Sequence, residues 1–219
     1  MIKAVIFDMD GLMIDTELLH SDAHAEVIKQ HGKEPKIDRE TGLVHTVGKS
    51  IKENSEKMRL KYDIQQTAEE LERQKHEVYF QLLATSKIEP RLGLLELINL
   101  LMENKIKTAI GSSGIKKGIQ LILKNLKIEK NFPVIVSLED VKRPKPFPDI
   151  FLKAAEGLSV KPKDCLVLED SQSGVEAAKN AGMKVYAVPN KYTSNQDFSK
   201  ADLIVDSLSD IKWSTISKI

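Results

Sequence analysis

Apolar residues fall along this chain in two rhythms. A run without alternation covers residues 4–7, Ala-Val-Ile-Phe, and stops at Asp8-Met9-Asp10-Gly11. A short continuous apolar run bounded by turn chemistry predicts a strand buried on both faces. From Leu19 the spacing changes to three and four: Leu19, Ala23, Val27 and Gln30 predict a helix that Gly32 can end. Residues 33–48 are mixed and punctuated by Gly42 and Gly48, and a second helical stretch is predicted over residues 50–61. A third opens with Thr67-x-x-Glu70, a capping-box pattern, and carries Ala68, Leu71, Lys75, Val78 and Leu82 along one face.

After Pro90 the two rhythms alternate. Residues 94–101 predict an apolar helix, and residues 107–110 a short strand running into Gly111-Ser112-Ser113-Gly114. Ile115, Ile119, Ile122, Leu123 and Leu126 mark the next helix, and residues 132–136 the next strand. Pro148 suits the first turn of a helix carrying Ile150, Phe151, Ala154 and Ala155. Residues 166–168 predict a strand, 175–181 a helix closed by Gly182, 184–188 a strand, and 203–205 a short edge strand. The tail, with Trp213, reads as a final amphipathic helix. Strands alternating with helices predict an α/β fold, a doubly wound parallel sheet covered on both faces. The expected division is a core of residues 1–14 and 89–219, interrupted by an all-helical insertion over residues 15–88.

Composition narrows the partners. The chain has 219 residues, with 33 Lys plus Arg against 32 Asp plus Glu, a net charge of +1. That balance gives no electrostatic reason to expect nucleic acid or an anionic membrane, so any anion binding must be local. The single cysteine, Cys165, lies in an apolar run and reads as a buried small residue rather than a nucleophile. No apolar run approaches the roughly 18 residues of a membrane span, and the first strand begins at the N-terminus without a signal-peptide pattern. These features predict a cytoplasmic protein, and a monomer, with a small-molecule substrate.

Candidate chemistry gathers where predicted strands end, the edge at which open α/β sheets bind ligands. The first strand ends in Asp8 and Asp10, which point the same way in an extended chain and whose mutual repulsion a hard divalent cation relieves. The second ends in Ser112 and Ser113, with glycines on both sides. The third is followed by Lys142-Arg143-Pro144-Lys145-Pro146, and the fourth ends in Glu169-Asp170. Any one of these alone reads as a turn, a linker or a helix cap. Together, carboxylates, hydroxyl donors and a fixed lysine describe a phosphoryl-transfer site.

Asp8-Met9-Asp10-Gly11-x-x-x-Asp15-Thr16 resembles the first motif of the haloacid dehalogenase superfamily, Asp-x-Asp-Gly-x-x-x-Asp-[Ser/Thr]. Ser112 falls at the second motif, Lys145 in Lys-Pro-x-Pro at the third, and Glu169-Asp170-Ser171-x-x-Gly174 at the fourth. The helical insertion is similar to the cap of the subgroup containing β-phosphoglucomutase and many sugar-phosphate phosphatases. This resemblance implies a Rossmann-like core with a mobile four-helix cap. It also implies Mg²⁺ as cofactor, with a phosphate ester as substrate.

By the same resemblance Asp8 is the nucleophile and Asp10 the general acid and base. The metal is held by the Asp8 carboxylate, the Asp10 carbonyl and Asp170, with Glu169 either a further direct ligand or a support behind the ligands. Ser112, Ser113 and Lys145 hold the phosphoryl group. In the cap, Lys75 matches a lysine that contacts substrate in the mutase, His20 matches a hinge-region histidine of the mutase in a run common among phosphatases too, and Lys49 stands where the mutase carries a phosphate-binding arginine. The implied activity is hydrolysis of a small phosphorylated metabolite, a sugar phosphate, through an aspartyl-phosphate; a phosphomutase is the alternative on the same scaffold.

Overall fold

A computed structural model of the chain describes residues 1–46 and 51–219. In chain order its principal elements are β1 (Ala4–Phe7), α1 (Glu17–Gln30), α2 (Ile51–Tyr62), α3 (Ala68–Thr85), α4 (Leu94–Glu103), β2 (Lys107–Gly111) and α5 (Lys116–Leu126). There follow β3 (Val134–Val136), α6 (Asp149–Gly157), β4 (Cys165–Glu169), α7 (Gln172–Asn180), β5 (Lys184–Ala187), β6 (Leu203–Ile204) and α8 (Trp213–Ile216). These fall into two compact units, Met1–Asp15 with Ile88–Ile219, and Thr16–Lys87.

The first unit is built on one parallel sheet in the order β3-β2-β1-β4-β5-β6. The chain lays β1 first, works outward through β2 and β3, then crosses back to place β4 on the other flank of β1. The switch in direction therefore falls between β1 and β4, the place where open α/β sheets form the crevice that binds ligands. Phe7 is level with Leu168, and the Asp8 N–H donates to the Leu168 carbonyl at 3.0 Å, so Asp8 and Glu169 emerge side by side from that crevice.

All four residues of β1 and all five of β4 are buried, as the unbroken apolar runs require when both faces are covered. Ala4, Ile6, Cys165 and Val167 face a layer of Phe151, Ala154, Val175 and Ala178 from α6 and α7. Phe7 points to the opposite face, where its ring meets the edge of Phe132 with centroids 5.4 Å apart. Cys165 is wholly buried, and burial raises its thiol to about 11, so it is inert packing.

Local differences from the sequence reading have local causes. The predicted strand over 132–136 begins only at Val134, because residues 129–131 wind into a 3₁₀ turn and Phe132 turns inward under the sheet. The tail helix is a single turn, α8, with Trp213 half-buried.

The second unit carries three helices among its described residues, where the family resemblance implies four. Residues 31–46 stay irregular: Gly32 and Gly42 adopt positive φ, and Asp38 Oδ1 accepts from the Glu40 and Thr41 N–H groups and the Thr41 hydroxyl, a turn that competes with helix. The capping box is formed at Thr67 and Glu70. The buried stripe of α3 runs through Ala68, Leu71, Lys75, Val78, Tyr79 and Leu83, one position beyond the Leu82 that the spacing suggests. Lys49 lies outside the described residues. No helix among the described residues is long and apolar enough to cross a membrane.

Candidate active site

The site of the first unit grows out of β1 and β4. Asp8, Glu169 and Asp170 are buried, and each offers a carboxylate oxygen within 4.8 Å of the others. Lys145 reaches between two of them: its ammonium donates to Asp8 Oδ1 at 2.5 Å and to Glu169 Oε1 at 2.6 Å, with 5% of its side chain exposed. Its alkyl stem brings the charge within 4.9 Å of the Phe151 ring centroid. So little exposure excludes the linker reading of the Lys/Pro run: this lysine is a fixed internal cation.

Glu169 has both oxygens engaged. While Oε1 meets Lys145, Oε2 accepts from the Asp170 and Ser171 N–H groups and the Ser171 hydroxyl, each at 2.9 Å. Ser171 in turn caps α7 by accepting from the Gly174 N–H. The capping and chemical readings of Glu169-Asp170 are therefore both realised, because the carboxylate that steadies the cap also steadies Lys145.

Gly174 is required by this arrangement, since a Cβ there would overlap the Glu169 carboxylate. Replacing Gly174 by alanine is expected to destabilise the protein by about 1–3 kcal/mol, as overpacking does, and to lower turnover by displacing Glu169 and Lys145. Thermal melts and initial rates check this; an unchanged melting midpoint would contradict the packing.

Asp10 stands apart from the three clustered carboxylates. A Cβ added to Gly114 would lie 3.2 Å from Asp10 Oδ2 and 3.3 Å from Ser112 Oγ, so both groups converge on the bare backbone of that glycine. Ser112 is buried and its hydroxyl accepts from the Gly114 N–H at 3.0 Å, while Ser113 is exposed. The Asp10-Gly11 turn is fixed from two directions, by Arg91 Nη1 and Asn190 Nδ2 donating to the Gly11 carbonyl at 2.7 and 3.3 Å. Neither Arg91 nor Asn190 carries a motif signal, and only the folded chain brings them here.

The electrostatics are lopsided. Asp8 and Asp170 both lie in the field of Glu169 and Asp10, with Lys145 as the one opposing charge. Burial first, then Glu169 and Asp10, push Asp8 up to about 8 against the opposing pull of Lys145. Burial, then Glu169 and Asp8, raise Asp170 well above the usual carboxylate range. Burial alone would lower Lys145, but Asp8 and Glu169 outweigh it and hold its pKa above the ordinary lysine value. The cluster thus lacks positive charge, and its oxygen donors fit a hard divalent cation such as Mg²⁺.

In the helical unit, Lys75 on α3 is completely buried. Its ammonium donates to His20 Nδ1 at 2.5 Å and lies 4.5 Å from the Tyr79 ring centroid, on which His20 stacks at 4.2 Å. Burial, then Lys75, lower the His20 pKa well below its ordinary value, so the imidazole is neutral and accepts at Nδ1. A wholly buried ammonium in a polar pair is not a lysine that lays its stem along an apolar face to reach solvent.

A doubly wound α/β sheet with a buried carboxylate cluster and lysine at its switch point defines a class of hydrolytic phosphoryl-transfer cores. Residues 5–188 match the family model of haloacid dehalogenase-like hydrolases, and the chain belongs to that family. It is 34% identical to the phosphorylated carbohydrates phosphatase of Thermotoga maritima, over 92% of each chain. A CbbY mutant from Rhodobacter sphaeroides, solved with xylulose-(1,5)bisphosphate, superposes with TM-score 0.83 at 29% identity over 96% of each chain. The β-phosphoglucomutase of Clostridium difficile gives TM-score 0.80 at 29% identity, covering 100% of this chain and 96% of that one.

Proposed function

We propose that this phosphoric monoester hydrolase removes phosphate from a small phosphorylated sugar, using Asp8 as nucleophile and Mg²⁺ as cofactor. The observation that carries the reading is the buried Asp8 carboxylate, held by Lys145 beside Asp170 at the sheet's switch point. Asp8 and Asp170, with the Asp10 carbonyl, would hold the ion; bound there, it offsets the negative charge of carboxylate and phosphate and polarises the phosphoryl group.

The chain's own residues do the rest. The Lys145 ammonium locks one Asp8 oxygen and Glu169 locks the lysine, so Asp8 presents its other oxygen to phosphorus in line. As the aspartyl-phosphate forms, Asp10 gives its proton to the departing sugar oxygen. Asp10, now a carboxylate, takes a proton from the water that attacks the aspartyl-phosphate, releasing phosphate and restoring Asp8. Ser112 and Lys145 donate to the phosphoryl oxygens as charge builds on them. We assign substrate choice to the helical unit, where Lys75 and His20 form a buried polar pair that no packing argument requires.

The alternative is a phosphomutase, favoured by that same pair because it matches a mutase position. A mutase must hold a second phosphate firmly enough to turn a bisphosphate round. Lys49 supplies a point charge there in place of an arginine fork, which fixes orientation less well. Phosphate release from a panel of sugar monophosphates, beside conversion of β-glucose 1-phosphate to glucose 6-phosphate primed with a bisphosphate, tests the choice. Hydrolysis at least about tenfold faster than isomerisation is expected; efficient isomerisation with slow phosphate release would reverse it.

A further inference from the structure

Asn190 follows β5 and is half-buried, and every polar atom it owns is committed. Its backbone N–H donates to Thr193 Oγ1 at 3.0 Å, and its carbonyl accepts from the Thr193 and Ser194 N–H groups at 3.1 and 2.9 Å. Its side-chain oxygen accepts from the Tyr192 N–H at 2.8 Å. A backbone N–H can only donate, so the amide cannot be flipped, and its nitrogen must face the other way. In that direction it donates to Asp170 Oδ2 at 2.7 Å and to the Gly11 carbonyl at 3.3 Å. The loop after β5 is itself pinned, because the Val188 N–H donates to the Glu169 carbonyl at 2.7 Å.

The partner of that amide is the one clustered carboxylate that Lys145 does not bond: the lysine serves Asp8 and Glu169. Asp170 Oδ2 is packed against Gly11, since a Cβ on Gly11 would overlap it and would also come within 2.8 Å of Asn190 Nδ2. One oxygen of Asp170 is therefore enclosed by Gly11 and Asn190, and Oδ1 is the oxygen left to face a cation.

We propose that Asn190 is a positioning residue for divalent-cation binding. It fixes the Asp170 carboxylate plane so that Oδ1 points at the ion, and through Gly11 it fixes the turn that carries the Asp10 carbonyl. The inference rests on the reading of Asp8 and Asp170 as metal ligands. Partners of this kind, which hold a ligand without touching the metal, typically change metal affinity 10–100-fold when lost.

The test uses the 219-residue chain without substrate and measures Mg²⁺ and Mn²⁺ binding by calorimetry. Asn190→Ala removes the donor. Asn190→Ser also removes it from Asp170, but its hydroxyl can still accept from the Tyr192 N–H and keep the turn. Both variants are expected to bind Mg²⁺ about tenfold more weakly than wild type or worse. The Ser variant should melt near the wild-type midpoint, and its kcat should recover at saturating Mg²⁺ with an unchanged KM for the phosphate ester.

A residue that merely staples its loop would shift the melting midpoint and leave metal affinity alone. Affinity within twofold of wild type in either folded variant overturns the proposal. Failure of both variants to fold also overturns it, since it would assign Asn190 to the architecture of the loop. A wild-type protein that binds neither ion removes the metal reading itself, an outcome read before any variant is made.

Discussion

Asp8→Asn is expected to abolish phosphate release, lowering kcat by a factor on the order of 10⁴ or more, while the protein stays folded. Asparagine keeps the shape of the side chain and removes the nucleophilic oxygen anion. The substitution also takes one negative charge out of a cluster that holds too many. Lys145 keeps its bond to Glu169 at 2.6 Å, so no buried cation is left alone. The melting midpoint should therefore be unchanged or raised, because a carboxyl whose pKa burial pushes up to about 8 carries a cost above its unfolded value. Substrate should still bind, since Ser112 and Lys145 remain. Phosphate release near the wild-type rate from purified Asp8→Asn would end the nucleophile assignment, whatever the melt showed.

Removal of divalent cations is expected to be as severe: activity lost in excess chelator and restored by Mg²⁺, with Asp170→Ala raising the Mg²⁺ requirement or abolishing turnover. A carboxylate attacking a phosphate dianion meets strong like-charge repulsion, and Lys145 alone cannot offset four carboxylates. Stability carries an independent signature. Without the ion, the folded pKa values of Asp8 and Asp170 lie above their unfolded values. Groups shifted in that direction support the fold fully below the unfolded value, about 3.9, and lose that support as pH rises through the folded value, about 8 for Asp8.

Chelated protein should thus melt lower at pH 8 than at pH 5.5. Mg²⁺ should raise the midpoint most at pH 8, where the ion no longer competes with protons for the cluster. Full activity in chelator, or a Mg²⁺ effect on melting that shrinks as pH rises, would contradict this account.

The order and type of the principal elements were legible because they are set by short-range periodicity. Continuous apolar runs marked the strands buried on both faces, and three-to-four spacing marked the helices between them. The capping box at Thr67 and Glu70 is local in the same sense, involving residues three apart. Where the reading missed, a local competitor was present: the 3₁₀ turn at residues 129–131 trims β3.

The candidate site was legible in its residue types and not in its connections. Asp8, Asp10, Ser112, Lys145 and Glu169-Asp170 stand out because each ends or follows a predicted strand, and a strand end is visible in one stretch of chain. No single stretch shows that Lys145 bonds both Asp8 and Glu169, 137 and 24 residues away. Nor does one show that both Glu169 oxygens are occupied, or that Gly174 is needed to make room for them. Arg91 and Asn190 escaped notice altogether, since an arginine and an asparagine in loops have no periodicity to read.

By itself, then, the sequence determined which segments are strand and helix, and which chemical groups stand at the strand ends. Only the tertiary structure decided how those groups are wired. Hydrogen bonds and ion pairs act over about 3 Å, whereas the residues they join here can lie 179 positions apart, as Asn190 does from Gly11. Crossovers in the parallel sheet bring them together. What burial then does to each charge depends on every neighbour that arrives at that point in space.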